Sequence, residues 1–444
     1  MSQPMPKTVT EPSRELPVIA SVDVVVCGGG PSGFIAAIAA ARNGAKTLLL
    51  EHYGFLGGMA TAGMVGPISK FNLNGERIVG GIPAEFIADM HRRGGAIIDL
   101  PSGNIPYDPE VYKYAAMRMV SESGVDLLLH SSVCGCLFDE ENPRKISHVI
   151  VENKSGRQAI ETRYVIDCTG TGDVVARTSV PWEMRGRSNG ELQPLSLYFR
   201  LGGVDTDQLN LLMAHDNTKY SNPELRQLLQ AEVEAGRLPN FGGPWALHGS
   251  TLRRGEVSVN ATRFSGNAVV ARELSDAEIQ LRTDSMHMVN VFREKAPAFR
   301  NSYLIDTATQ VGIRETRAIQ GLYTLTADDV LTPRHFADTV AMGGHPVDIH
   351  RAGSSQQEVR FIQKPYHIPY RCLVPQNADN LLVAGGCLSA TREAFASVRV
   401  QAQCMALGQA AGTAAALCAD QQRAVHELDG SQLRAVLTRQ GGIV

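Results

Sequence analysis

Three glycines spaced as GxGxxG, Gly28, Gly30 and Gly33, lie between a β-branched apolar run and an Ala-rich stretch. In that setting each glycine has a mechanical use. Gly28 permits a tight strand-to-helix turn, and Gly30 lets the backbone approach a pyrophosphate. Gly33 lets the helix pack closely on the strand. Pro31 and Ser32 complete the turn, and the helix N-terminus that follows offers free N–H groups and a positive dipole end to phosphates. Glu51 stands where an acid accepts hydrogen bonds from ribose hydroxyls, and it would repel a 2′-phosphate.

The elements that position these residues are legible around them. Val22 to Cys27 reads as a strand buried on both faces. Phe34 to Arg42 reads as a helix that stops at Asn43-Gly44, and Lys46 to Leu50 as a second strand ending on Glu51. Val125 to Leu129 and Tyr164 to Asp167 read as further strands of the same α/β unit. Asn380 to Val383 reads as another, and Gln401 to Cys418 as a long helix of small residues.

A Leu56-Gly57-Gly58-Met59-Ala60 segment follows the acid. With Tyr164 to Asp173 and Asn380 to Val398, it resembles FAD-dependent oxidoreductases of the glutathione-reductase structural superfamily, closest to those related to fumarate reductase flavoproteins. The resemblance implies an α/β fold, a Rossmann-like FAD-binding domain with a second α+β substrate domain, and FAD as cofactor. It carries Gly57, Gly58, Met59 and Ala60 to the turn past the pyrophosphate, and Val133 to main-chain contact with adenine. Thr169, Gly170 and Asp173 return under the adenosine, and Gly385, Gly386, Ser397 and Val398 pass the ribitol and the flavin edge. Two positions depart from the pattern: His52 stands where relatives carry Arg or Lys, and Gly386 where they often carry Arg or an Asp. By the same placement His52 meets ribose or adenine, not the isoalloxazine.

The expected organisation is an N-terminal arm (1–17), then an FAD-binding domain (18–184) with an excursion at 67–108 that covers the flavin. A substrate domain (185–369) follows, and the FAD-binding domain closes with 370–444. Near the end of the substrate domain, His345, His350 and His367 are candidate proton acceptors, since imidazole suits that role near neutral pH. Arg314 and Arg371 are candidate grips for a substrate carboxylate. An interior ion pair between Arg314 and Glu315 is the structural alternative, as is a purely anchoring role for Tyr366 to Arg371.

A net charge of -3 gives no electrostatic reason to expect a nucleic-acid or membrane partner. No window of about 18 apolar residues is free of charge. The eight cysteines are scattered. They read as reduced thiols of a cytoplasmic protein, Cys387 included, and no metal site is expected. The expected activity is hydride transfer from the alcohol or amine carbon of a small polar molecule to flavin. C=C reduction, monooxygenation and an electron-transferring subunit are the alternatives, and homo-oligomerisation stays open.

Overall fold

The computed structural model describes residues 8–186, 191–209, 223–351, 353 and 356–444. Part of the expected arm (1–7) and parts of the expected substrate domain lie outside the described residues. Val18–Cys27 is the hub of the main sheet. It pairs in parallel with Thr47–Leu50 on one side and with Gly156–Asp167 on the other. Asp126–Leu128 extends the first side in parallel. The 12-residue strand Gly156–Asp167 serves two neighbours. Its first part pairs antiparallel with Ile146–Asn153, and its last three residues pair in parallel with Leu381–Val383. A strand some two hundred residues downstream thus completes the sheet at the cofactor end.

Burial explains the composition of these strands. Val24, Val25, Val26 and Cys27 are wholly inaccessible, so no alternation of polar and apolar residues survives. Helix Pro31–Arg42 starts directly on the glycine turn and lies against helix Gln401–Gln421. A Cβ at Gly408 would sit 2.1 Å from Ser32 O, and one at Gly412 2.1 Å from Ala36 O. The small-residue helix is therefore small because it packs backbone to backbone.

Val133 is not at the end of the strand read at Val125 to Leu129, which covers only Asp126–Leu128. His130 takes a left-handed φ of 53° and breaks the chain there. Val133 lies in the next strand, Ser132–Phe138, antiparallel to Ile146–Asn153.

A second, antiparallel sheet runs in the order Trp245–Leu247, Val257–Asn260, Tyr198–Gly202, Tyr303–Thr307. Helices Pro223–Glu234 and Ala271–Lys295 share its core through Leu225, Leu229, Met288 and Phe292. Leu325, Val340, Tyr366 and Ile368, by contrast, join the main core with Val24 and Phe34. No helix among the described residues is long and apolar enough to cross a membrane.

Candidate active site

The glycine turn and the second sheet enclose a cavity of about 910 Å³. One end is built on the main sheet. Glu51 is almost fully buried there: its Oε2 accepts from Gly29 N at 2.7 Å and its Oε1 from Tyr53 N at 2.9 Å. His52 Nδ1 is also 2.9 Å from Oε1, and that hydrogen bond raises the His52 pKa above its ordinary value. A carboxylate has about four acceptor positions, so room remains for a ribose hydroxyl.

Asp167 does parallel work at the end of its strand. It accepts from Thr169 N at 3.0 Å and Thr169 Oγ1 at 2.7 Å, and from Val174 N and Val175 N at 3.0 Å each. Those bonds hold the Thr169–Asp173 loop, which lines the cavity at Thr169, Gly170 and Asp173.

The middle of the cavity has the features a pyrophosphate needs. Gly28, Gly30, Pro31 and Ser32 line it. A Cβ at Gly30 would meet nothing nearer than Gly58 Cα at 3.8 Å, so this glycine faces open space. Gly33 is needed for packing instead: its Cβ would stand 1.7 Å from Gly28 O. The helix that starts here has no side-chain cap and no acidic residue in its first turn. Its positive end is therefore left for an anion.

At the far end the second sheet and the segment after it bring charged groups together. Arg314 Nη1 donates to Pro194 O and to Ser196 Oγ. Among the described residues its Nε and Nη2, the pair that grips a carboxylate side-on, have no hydrogen-bond acceptor in the protein. Tyr198, whose hydroxyl accepts from Asn260 Nδ2 at 2.9 Å, lines the same wall.

His345 and His350 flank this wall. His345 Nδ1 is 2.7 Å from Ser69 Oγ, and burial pushes its pKa down to about 4. His350 Nε2 lies 3.4 Å from Asp348 Oδ2; burial, with the charge of Arg314, pushes its pKa down to about 3. Burial works against the ionised Asp348 carboxyl, but the His350 hydrogen bond and the Arg399 charge outweigh it and hold its pKa low. Both imidazoles are thus neutral at neutral pH, the form in which they accept a proton.

The sequence profile of the family described as FAD dependent oxidoreductase matches residues 23–437. The chain belongs to the FAD dependent oxidoreductase family. It is an enzyme of that class, with FAD as its cofactor, and the uncapped helix end and open Gly30 face of the cavity fit that group.

Two curated relatives match about a third of the chain. One is a thiamine thiazole synthase of Methanococcus vannielii, 33% identical over 172 residues, which are 35% of this chain and 59% of the relative. The other is a digeranylgeranylglycerophospholipid reductase of Methanocaldococcus jannaschii, 29% identical over 167 residues, 35% of this chain and 39% of the relative. The chain thus spans less than two thirds of either. Among solved structures, a geranylgeranyl bacteriochlorophyll reductase-like protein of Thermoplasma acidophilum aligns with 95% of this chain and 84% of its own at 14% identity, with a TM-score of 0.45.

In this FAD dependent oxidoreductase most of the residues singled out in the sequence face one cavity. Besides those above, His52, Gly58, Met59, Val133, Gly385 and Gly386 line it. Others do not. Gly33, Gly57 and Ala60 lie behind the wall, and Val398 is in the core. Ser397 Oγ bonds Tyr366 Oη at 2.7 Å and the His345 carbonyl, so it supports the site from behind.

Two catalytic candidates also fall outside. His367 lies on strand Tyr366–Pro369 with its ring centre 4.1 Å from that of His335. Arg371 is exposed and its Nε donates to Asp338 Oδ2 at 2.9 Å. Neither lines the cavity: His367 packs against His335, and Arg371, in the turn Tyr370–Cys372 after the strand, is held by Asp338.

The Arg314–Glu315 ion pair does not form. Neighbouring side chains on an extended segment diverge. Glu315 instead accepts from Gln193 N at 2.7 Å and Gln193 Nε2 at 2.9 Å, and pairs with Arg392 at 3.1 Å.

Tyr198, Asp348, Arg399 and Ser196 were not legible as site residues. For Asp348 a signal existed: it stands two residues before His350 on strand Val347–His350, hence on the same face. Among the described residues no cluster of three or more His, Cys, Asp or Glu is arranged to hold a metal.

Proposed function

We propose that this enzyme takes hydride from a carbon bearing a hydroxyl or amino group in a small carboxylate. One observation carries the reading: the free Nε and Nη2 of Arg314 stand in the same cavity as two neutral histidines. Bound FAD supplies the two-electron acceptor. Arg314 holds the carboxylate, and Tyr198, with Leu247 and Phe361 of the same cavity, fixes the body of the donor. His345, or His350 oriented by Asp348, receives the hydroxyl or amino proton as the C–H bond breaks.

At the other end we assign Glu51, His52 and Val133 to the adenosine. Gly28, Gly30, Pro31, Ser32 and Gly58 go to the pyrophosphate, and Met59, Gly385 and Gly386 to the flavin side. Gly33, Gly57, Ala60, Ser397 and Val398 act as support. The kinship with glutathione-reductase-type and fumarate-reductase flavoproteins rests on the Leu56-Gly57-Gly58 turn and the C-terminal block. In the proposed division the substrate module is the second sheet with its helices, and segment 325–369 belongs to the FAD-binding body, as its packing supports. The eight free thiols support a cytoplasmic site of action.

The test is anaerobic titration of the FAD-loaded protein with hydroxy acids, amino acids, polyols and simple amines, following the flavin absorbance. Bleaching by acids of one class, with polyols and simple amines inert, is expected. Equal bleaching by uncharged polyols would sink the role of Arg314. A second reading, reduction of an activated C=C bond, is supported by the reductase among the curated relatives. It predicts that chemically reduced enzyme is reoxidised by an unsaturated acid.

A further inference from the structure

Beside the flavin cavity lies a second chamber of about 610 Å³. Trp245, His350 and Gln357 line both, so the two spaces share a wall. The chamber's own lining includes Arg226, Arg263 and Arg351, and Glu358 is its acid among the described residues. Glu358 has a partner of its own, since its Oε1 lies 3.4 Å from Arg360 Nε.

Arg263 is the unusual member. It is 6% exposed, yet no carboxylate among the described residues bonds it. Its Nη1 donates to Ser196 Oγ at 3.1 Å, Asn260 Oδ1 at 3.0 Å and Thr262 O at 2.7 Å. Its Nη2 is buried and has no hydrogen-bond partner among the described residues. Gly242 makes room for that nitrogen, because a Cβ there would stand 2.1 Å from Nη2. Burial pushes the Arg263 pKa down only to about 10, so the group stays cationic at neutral pH. A buried cation with an unused donor is costly unless an anion completes it.

We propose that this chamber is a second anion site, in which Arg263, Arg226 and Arg351 take an oxyanion, a carboxylate or a phosphate. Guanidinium groups suit planar or tetrahedral oxyanions through paired N–H donors. Arg226, whose Nη1 donates to Gly243 O at 3.1 Å, and the exposed Arg351 close on the ion from the rim. His350 stands in the shared wall, so an ion here lies next to the groups assigned to proton transfer.

The experiment is calorimetric titration of the FAD-loaded protein with inorganic phosphate, then with acetate, in the absence of any donor. Because the Arg314 grip in the flavin cavity also takes carboxylates, the titration is repeated on Arg314→Met, where one saturable site is expected to remain. Arg226→Gln and Arg351→Gln, both on exposed side chains, should each weaken it by about tenfold, as the loss of a charge-assisted hydrogen bond does. Absence of saturable binding, or unchanged affinity in both variants, would overturn the proposal. Once a donor is known, competition between it and phosphate assigns the oxyanion to the donor's own tail, and independence assigns it to a separate ion. Either result keeps the site and names its source. Failure of the donor test above leaves this titration intact, so the two readings fall separately.

Discussion

Arg263 and Arg314 donate to one and the same acceptor, the hydroxyl oxygen of Ser196. Two guanidinium groups therefore converge on a single neutral atom inside the protein, one facing the flavin cavity and the other the side chamber. Like charges so placed repel, and the proximity of Arg263 and Arg399 helps hold the Arg314 pKa well below its ordinary value, after burial. Asp348 is the carboxylate that offsets them. The excess positive charge is an argument for anionic ligands on both sides of Ser196.

The glycine turn yields a clean separation of folding from cofactor binding. Gly30→Val places its side chain in the open space over the turn, where no protein atom comes nearer than 3.8 Å to the Cβ. The variant should fold with an unchanged circular dichroism spectrum and purify without flavin absorbance. Retention of stoichiometric FAD would remove Gly30 from the pyrophosphate site.

Arg314→Met should raise KM for the carboxylate donor by roughly 10- to 100-fold, the worth of hydrogen bonds to a charged group. Arg314→Lys should recover part of the loss, because an ammonium keeps the charge but not the side-on pair. Steady-state kinetics with the donor found by bleaching decides this. Equal kinetics for wild type and Arg314→Met would place the carboxylate elsewhere.

Stability should fall on mild acidification. His345 and His350 have folded pKa values of about 4 and about 3, against 6.5 for the free side chain. Below pH 6.5 the unfolded chain takes up protons that the folded chain refuses, so stability drops as pH falls from about 6.5 towards the folded values. Urea midpoints measured between pH 7 and pH 4.5 should show this slope, and His345→Asn should flatten it. An identical slope in the variant would show that His345 is not held neutral.

Asp167→Ala removes the acceptor for four donors of the Thr169–Val175 segment. Leaving buried N–H groups unpaired should cost about 3 kcal/mol of stability and weaken FAD retention together. Asp167→Asn, which keeps one carbonyl acceptor, should fall between. A denaturation curve for Asp167→Ala superimposing on that of wild type would contradict the assignment.

The sequence by itself determined the cofactor half of this protein. Gly28, Gly30, Gly33 and Glu51 sit within one strand–turn–helix–strand unit, where local geometry ties residue spacing to position. The helix Gln401–Gln421 was legible for the same reason, since a run of small residues has few uses other than close packing. His130 was not legible, because a single left-handed residue between two apolar runs looks like a continuous strand.

The substrate half was decided by tertiary structure. His345, His350, His367, Arg314 and Arg371 looked alike in sequence, yet three line the cavity and two do not. Which side of a strand a residue occupies depends on what that strand packs against, and strand Tyr366–Pro369 packs into the main core. Arg263, Arg314 and Ser196 come from three separate segments and meet where Leu195 bridges Phe264 and Ser196 bridges Gly312. No spacing rule relates residues 196, 263 and 314, so their convergence is a property of the fold alone.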